Sequence, residues 1–217
     1  MPVLWIYSLT RLVTMALLRL YFRIEYYGVE NIPTAGPFLL TPNHVSYADP
    51  LWVSAPVRRP MRYMTWDIMT KKPLIGPLMK VYGAFPVNLE RADRDALKVA
   101  AAQLRRGGGL VVFPEGGRTQ DGNLMKFKTG AIRLAFEAGI PVIPATIIGG
   151  YEAYSFHHWL PRPRKVRVIF HPPIRFELPE GGDMTKDLLR SGAARLQEVV
   201  ASGFTDHSFW GEDVKKS

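Results

Sequence analysis

A histidine and an aspartate lie five positions apart in the polar segment PNHVSYAD, which covers residues 42–49. On a regular helix this spacing would turn His44 and Asp49 about 140 degrees away from each other, so they cannot pair on one helix face. A bent segment that brings them together would let the carboxylate accept one ring N–H of the imidazole. The other ring nitrogen could then take a proton from a hydroxyl group. The segment therefore predicts a general base oriented by an acid.

Asp49 has a second predicted role, because Asp-Pro at 49–50 is typical of a helix start. Asp49 would be the N-cap and Pro50 the first helical residue. Residues 43–48 would then be free to fold back over the carboxylate. The alternative interpretation is that Asp49 only caps the helix while His44 bonds to backbone, and the spacing alone does not decide between the two.

A second polar segment, FPEGGR at residues 113–118, follows a predicted buried strand. Gly116 and Gly117 would let backbone N–H groups approach an anion, and Arg118 would add a planar, charge-assisted donor. These features predict a phosphate-binding loop. The alternative is an ordinary glycine-rich turn with a solvated arginine.

The sequence lacks the residues or motifs that several other kinds of active site and metal site require. Cysteine is absent, which excludes disulfides, thiolate metal ligands and a cysteine nucleophile. The sequence has no GxSxG, Walker, GxGxxG or HExxH motif, which argues against serine hydrolases, nucleotide hydrolases, dinucleotide enzymes and zinc proteases. His157 and His158 are adjacent, so their side chains diverge and no metal site is predicted.

The chain is basic, with 28 Lys and Arg against 19 Asp and Glu and a formal net charge of +9. That balance favours partners with phosphate groups or an anionic lipid surface. A nucleic-acid-binding domain is the alternative from another functional class, but no RRM or helix-turn-helix signature is found and the aromatic residues concentrate in apolar segments. The predicted partner is therefore a membrane phospholipid surface, with no nucleic acid.

Residues 1–24 predict an amphipathic helix in a membrane interface. The segment is very apolar, but Arg11 and Arg19 interrupt it, so no uncharged run reaches the roughly 18 residues of a spanning helix. Arg11, Arg19 and Arg23 fall within an arc of about 120 degrees and would meet lipid phosphates while the apolar residues reach the acyl boundary. The alternative is a helix that is buried in the protein core and has only a narrow solvent-exposed edge.

Beyond residue 30, short apolar runs alternate with helical patterns. Strands are predicted at 38–41, 62–65, 83–87, 110–113, 142–148 and 165–170, and helices at 93–106, 129–138 and 185–202. This alternation implies an α/β fold with a mainly parallel central sheet flanked by helices. We expect one domain at residues 25–204, followed by a loosely ordered tail at 205–217.

Polar segments follow four of the predicted strands. They are PNHVSYAD, FPEGGR, NLER at 88–91 and GGYE at 149–152. Ligands of open α/β sheets bind beyond the carboxyl ends of the strands. We therefore expect these four segments to share one cleft.

The two chemical segments resemble motifs of the glycerolipid acyltransferase family typified by 1-acylglycerol-3-phosphate acyltransferase. That family carries NHxSxxD and then FPEGTRS. The first motif is matched by Asn43, His44, Ser46 and Asp49, and the second by Phe113-Pro114-Glu115-Gly116. Further blocks similar to those of the family lie at 73–76, 83–87, 127–130 and 142–145, so the resemblance covers about residues 25–175.

The resemblance implies a direct acyl transfer with no acyl-enzyme intermediate. His44 would take the proton from the acceptor hydroxyl, Asp49 would orient it, and Glu115 and Gly116 would hold glycerol phosphate. The other implied substrate-side residues are Asn43 and Ser46, which would brace the loop, and Arg118 and Lys128, which would neutralise the phosphate. Gly117, expected at the phosphate from its lack of a side chain, stands where the family has threonine, and Arg91 is expected to substitute for an arginine that the family has and this chain lacks.

The implied reaction moves a fatty acyl group from acyl-CoA or acyl carrier protein, used as a co-substrate without any cofactor, to a lysophospholipid hydroxyl. The first acceptor to expect is 1-acylglycerol-3-phosphate, which would give phosphatidic acid. Leu89 stands where the family usually has an arginine, which favours a different lysolipid or lipid-linked acceptor as the alternative, unless Arg91 or Arg94 substitutes. The expected location is peripheral or monotopic on the cytoplasmic face of a membrane.

Overall fold

The computed structural model describes residues 4–59, 61–66, 83–87, 93–178, 182–206 and 208. The helices in this part of the chain are α1 (Leu4–Phe22), α2 (Asp49–Ser54), α3 (Asp93–Arg105), α4 (Gly130–Ala138), α5 (Gly150–Tyr154) and α6 (Lys186–Ser202). The strands are β1 (Glu25–Tyr27), β2 (Phe38–Pro42), β3 (Met61–Trp66), β4 (Ala84–Val87), β5 (Gly109–Val111), β6 (Val142–Ile148) and β7 (Arg167–Phe170), and a short 3-10 turn covers Val29–Asn31.

The described strands form one sheet in the order β1-β7-β6-β2-β5-β3-β4. Each neighbouring pair is parallel except β6 with β7, which is antiparallel. The mainly parallel α/β sheet predicted from the sequence is thereby confirmed. Because β2 to β6 all run in one direction, their carboxyl ends lie along the same edge of the sheet. We call it the carboxyl edge.

The sheet separates two hydrophobic clusters. In β2, Phe38 and Leu40 belong to the cluster that also contains Trp52, whereas Leu39 belongs to the cluster that packs under α4 and α6. This follows from the period of two residues along a strand and from helices covering both faces of a parallel sheet. Each fully buried leucine of this kind contributes about 1.5–3 kcal/mol. β2 is therefore a rigid base for the segment that follows it.

Most predicted elements are confirmed, with small changes at their ends. The predicted strand at 110–113 becomes β5, which ends at Val111, because the chain turns there to begin the FPEGGR segment. The predicted strand at 165–170 begins only at Arg167. β1 was not predicted, because three residues carry too little pattern, and it is formed by parallel pairing with β7.

The N-terminal helix α1 is packed along one side and exposed along the other. Leu18 and Phe22 are buried in the same cluster as Trp52, and the rings of Phe22 and Trp52 meet edge to face at 5.3 Å. Leu17 and Leu20 are 60% and 83% exposed. The helix therefore shares the core of the following domain and still presents an apolar side. None of the helices in the described residues is long and apolar enough to cross a membrane.

Candidate active site

Asn43 fixes the point at which the PNHVSYAD segment leaves β2. Its side-chain oxygen accepts the Ile147 N–H at 2.7 Å, and its amide nitrogen donates to the Ile147 carbonyl at 3.1 Å. Asn43 is only 1% exposed. Both of its polar groups are thus used to join the segment to β6, which favours the bracing role; a contact of Asn43 with substrate stays a prediction.

The bent segment brings His44 and Asp49 together. His44 Nδ1 lies 2.8 Å from Asp49 Oδ2, and the same oxygen accepts the backbone N–H groups of Val45 at 2.7 Å and Ser46 at 2.8 Å. Asp49 is fully buried, while the His44 side chain is 18% exposed. Burial raises the pKa of the Asp49 carboxyl, and the hydrogen bonds from His44, Ser46 and Val45 oppose that rise. The acid thus orients an imidazole that remains open to the cleft.

The prediction that Asp49 is a helix N-cap is wrong. The N-cap of α2 is Ala48, and Asp49 is the first helical residue, with Pro50 after it. The carboxylate accepts three donors of the preceding segment, and the N–H groups of Leu51 and Trp52 donate to the Ala48 carbonyl. The second oxygen of Asp49, Oδ1, is buried without a hydrogen-bond partner among the described residues. The carboxylate is therefore used to orient His44 and its loop.

Ser46 ties the segment to α5. Its hydroxyl donates to the Tyr154 carbonyl at 2.6 Å and accepts the N–H of Ala48 at 3.0 Å. Tyr47 packs beside Tyr154, with ring centroids 5.6 Å apart. These contacts agree with the predicted bracing of the loop by Ser46.

Glu115 lies behind His44. Its Oε1 accepts the backbone N–H of His44 at 2.6 Å and its Oε2 accepts that of Met125 at 3.0 Å. The side chain is 4% exposed. Burial raises the pKa of Glu115 to about 7, although both hydrogen bonds oppose the rise. Because both oxygens are occupied by backbone groups, the geometry favours a positioning role over the glycerol phosphate contact that the resemblance implied.

Two further contacts hold His44 against the FPEGGR segment. The imidazole stacks on the Phe113 ring, with centroids 3.8 Å apart and planes inclined by 18°. The Thr119 N–H donates to the His44 carbonyl at 2.9 Å. The orientation of the predicted base is thus set by Asp49 on one side and by this segment on the other. Nothing in the motif spacing identified Phe113 as a ring support.

Two cationic side chains flank the glycine turn. The Arg118 guanidinium lies 3.6 Å above the centroid of the Tyr47 ring, a cation–π contact that keeps it beside the His44 loop. Gly116 has a left-handed φ of 75°, and a Cβ added there would collide with the Lys128 ammonium. Gly117 is exposed, with open space where a side chain would lie. Arg118 and Lys128 could neutralise a phosphate here.

Some of the remaining predicted residues fall outside the part of the chain that the structure describes. Arg91 and Leu89 lie outside the described residues, as does the NLER segment to which they belong. Arg94 lies in α3, in the part whose side chains are not described. GGYE does reach the shared edge, since the Tyr151 hydroxyl donates to the Gln120 carbonyl at 2.6 Å. Three of the four segments thus meet in the described part of the cleft.

The arrangement supplies what a proton abstraction from a hydroxyl needs. It has an oriented imidazole, a buried carboxylate beside it and two cations at the adjacent turn. If the ring proton of His44 is on Nδ1, where Asp49 accepts it, the other ring nitrogen, Nε2, carries the lone pair that can take a proton.

Comparisons with known proteins show the family to which this chain belongs. Residues 23–148 match the model of the family described as Acyltransferase. The chain is 30% identical over 191 residues to the chloroplastic 1-acyl-sn-glycerol-3-phosphate acyltransferase BAT2 of Brassica napus, covering 83% of this chain and 53% of that one. It is 30% identical over 164 residues to the chloroplastic LPAT1 of Arabidopsis thaliana, covering 71% and 44%. The chain therefore spans about half the length of these curated relatives.

A solved structure shares the fold. The crystal structure of the 1-acyl-sn-glycerophosphate (LPA) acyltransferase PlsC from Thermotoga maritima superposes with a TM-score of 0.69 at 24% sequence identity. The match covers 92% of this chain and 81% of that one.

Proposed function

Since this chain belongs to the Acyltransferase family, we propose that it moves a fatty acyl group from a thioester to the free hydroxyl of 1-acylglycerol-3-phosphate, giving phosphatidic acid. The relatives described above are named for that acceptor. The observation that carries the proposal is the 2.8 Å contact between His44 Nδ1 and Asp49 Oδ2 at the carboxyl edge.

His44 acts as the general base in this proposal. Asp49 accepts the Nδ1 proton, which fixes the tautomer and leaves the Nε2 lone pair for the acceptor hydroxyl. As the acceptor oxygen attacks the thioester carbonyl carbon, Nε2 takes its proton and the new C–O bond forms. The C–S bond then breaks, and His44 returns the proton to the departing thiolate. The chain has no cysteine, and this route needs no acyl-enzyme intermediate.

Arg118 and Lys128 are the proposed contacts for the phosphate of the acceptor. Both are held at the turn that also supports His44, Arg118 on Tyr47 and Lys128 against Gly116. A cation near the acceptor phosphate lowers KM and fixes the distance between hydroxyl and base. The exposed Gly117 leaves room for the phosphate to approach the backbone.

The proposed location is the cytoplasmic face of a membrane, without crossing it. The exposed apolar side of α1, which includes Leu12, Leu17 and Leu20, supports contact with a membrane surface. Several exposed leucines on one side of a helix are typical of a helix that lies in a membrane interface. An acyltransferase held there would meet acceptor and donor chains at the bilayer.

Acyl transfer from a radiolabelled thioester to a lysolipid panel tests the proposal. The purified chain, given acyl-CoA or acyl carrier protein donors, should label 1-acylglycerol-3-phosphate, and His44→Ala should lose that transfer while melting like the wild type. General-base assistance of this kind contributes roughly 100- to 10,000-fold. Absence of transfer with both donors from folded protein, or near wild-type turnover by His44→Ala, would refute it.

The same panel separates the acceptor classes. A preference for lysophosphatidic acid over lysophosphatidylethanolamine supports a phosphomonoester acceptor. The reverse preference would assign the chain to a different lysolipid and would agree with Leu89 in place of the usual arginine.

A further inference from the structure

An exposed tryptophan stands between α5 and β7, outside the site described above. Trp159 is 91% exposed and Leu160, which follows it, is 63% exposed. Exposing two neighbouring large apolar side chains to water is unfavourable, and a tryptophan in this position contributes nothing to the protein core. We therefore expect Trp159 and Leu160 to be covered by something other than water when the protein functions.

The fold places this pair at the carboxyl edge. α5 follows β6 at that edge, and Arg167, the first residue of β7, pairs with Ile148, the last residue of β6. The intervening segment 155–166 is thus confined to the same edge as His44. It is also tied to the site through α5, because Ser46 donates to the Tyr154 carbonyl and Arg162 donates its N–H to the Ala153 carbonyl.

The segment is also joined to the exposed side of α1. The Tyr21 hydroxyl donates to the Pro161 carbonyl at 2.7 Å, and the Val166 N–H donates to the Phe22 carbonyl at 3.2 Å. α1 brings its own exposed apolar residues to this junction, among them Leu17 and Leu20. The exposed apolar residues of the segment and of α1 thus belong to two elements that are hydrogen-bonded to each other, and together we call them the apolar surface.

The charges around this surface are mainly positive. Residues 150–165 contain three basic residues and one acidic residue, Glu152. Arg162 and Arg164 are exposed directly after the apolar pair, and Arg19 and Arg23 are exposed at the end of α1. Tryptophan and leucine flanked by arginines are the composition that inserts at the headgroup level of an anionic bilayer.

We propose that Trp159 and Leu160 form a second membrane contact, which inserts into an anionic phospholipid surface beside α1 and turns the carboxyl edge toward the bilayer. This inference rests on the proposed function only for the reason why the cleft should face the membrane. Insertion of Trp159 and Leu160 does not itself require catalysis. With two contacts joined at Tyr21, the helix and the segment fix the orientation of the cleft, whereas α1 alone would leave the protein free to rotate about the helix axis.

Vesicle cosedimentation of the complete chain tests the contact directly. On vesicles of mixed phosphatidylglycerol and phosphatidylcholine, Trp159→Ser/Leu160→Ser should bind about tenfold or more weakly than the wild type. Leu178→Ser is the matched control, since Leu178 is also exposed but follows Ile174, which pairs with Val142 at the opposite end of β6. It should bind like the wild type. Equal affinity of wild type and double variant would overturn the proposal.

Two further measurements keep the outcome decisive. Trp159→Phe preserves an aromatic group, and wild-type protein should lose more fluorescence than this variant on vesicles with brominated acyl chains. Equal quenching would place Trp159 outside the bilayer and overturn the proposal. Arg162→Gln/Arg164→Gln should weaken binding to anionic vesicles but not to neutral ones; equal loss on both would contradict the charge argument. If no lysolipid is acylated yet binding still depends on Trp159, only the proposed function fails.

Discussion

The carboxylate of Glu115 accepts the backbone N–H of His44 at 2.6 Å, so the acid of one polar segment holds the main chain of the base in the other. The second oxygen of Glu115 holds Met125 at 3.0 Å, and this bond fixes the loop that leads to Lys128. A single buried side chain thus sets the relative position of the base and of the loop that presents a cation. Glu115 is a positioning residue in this arrangement.

Glu115→Gln should lower kcat by about 10- to 100-fold and leave KM for the acceptor nearly unchanged. The amide oxygen can still accept the His44 N–H, but the amide nitrogen faces the Met125 N–H, and two donors cannot bond. Steady-state kinetics over acceptor concentration measures this split. A large increase in KM with normal kcat would instead indicate that Glu115 binds the substrate, as the resemblance implied.

Asp49→Asn should reduce kcat by about 100- to 10,000-fold while the protein remains folded. The variant keeps an oxygen for the three donors but loses the charge that supports the imidazolium. The amide nitrogen would take the place of Oδ1, which is buried without a partner among the described residues, so a small loss of stability is expected. Activity and thermal unfolding measured together check this, and Asp187→Asn, at an exposed site of α6, is the control. Near wild-type turnover by Asp49→Asn would contradict the orienting role.

Lys128→Met should raise KM for a phosphate-bearing acceptor about tenfold, with a smaller effect at high salt. Lys126→Met provides a matched control, because Lys126 is also exposed and lies only two residues earlier. Among the described residues it is Lys128, and not Lys126, whose side chain lies against Gly116. Initial rates at low and high ionic strength measure both variants. Equal effects of the two substitutions would show a general charge effect in place of a phosphate contact.

His171→Gln should make the protein more resistant to acid. His171 is buried, and its Nε2 donates to the Thr146 hydroxyl at 2.8 Å because that hydroxyl itself donates to the Val200 carbonyl. Burial lowers the pKa of His171 from 6.5 to about 4. As pH falls from 6.5 toward 4 the unfolded chain binds a proton before the folded one does, so the stability present above pH 6.5 is progressively lost.

Urea unfolding at pH 7.5 and pH 5 measures this effect. The wild type should lose about 2 kcal/mol more than His171→Gln between the two pH values. Glutamine at position 171 stays neutral at both pH values and can still donate a hydrogen bond. Protonation of other groups at low pH affects both proteins, so the difference between them reports on His171. Parallel losses in the two proteins would mean that His171 is not a neutral buried group.

Leu12→Ser/Leu17→Ser/Leu20→Ser should weaken vesicle binding by about tenfold or more, because these side chains are exposed on α1. Point substitutions are preferable to deletion of the helix, since Leu18 and Phe22 belong to the core and their removal would destabilise the fold. Vesicle cosedimentation gives the affinity, and Val99→Ser, at an exposed position of α3, is the control. Unchanged binding would place the membrane contact elsewhere.

The sequence by itself determined the fold class and the candidate acid–base pair. Alternating apolar runs and helical patterns are local properties, and they predicted β2, β6, α4 and α6 within a few residues. The spacing of His44 and Asp49 excluded a helical pairing and required a bend, which the structure contains. The resemblance to glycerolipid acyltransferases, now confirmed by the family match, rested on the same segments.

Only the tertiary structure decided which groups each side chain contacts. Glu115 bound to the backbone of His44 and Arg118 on Tyr47 both depend on loops from different strands meeting at the carboxyl edge. The N-cap at Ala48 depends on the bend that lets Asp49 accept donors of its own segment. His44 and Glu115, which are joined by a hydrogen bond, lie 71 positions apart in the chain. A contact between such distant residues produces no periodic pattern in the sequence. Such contacts arise because parallel strands place their carboxyl ends side by side, whatever their order in the sequence.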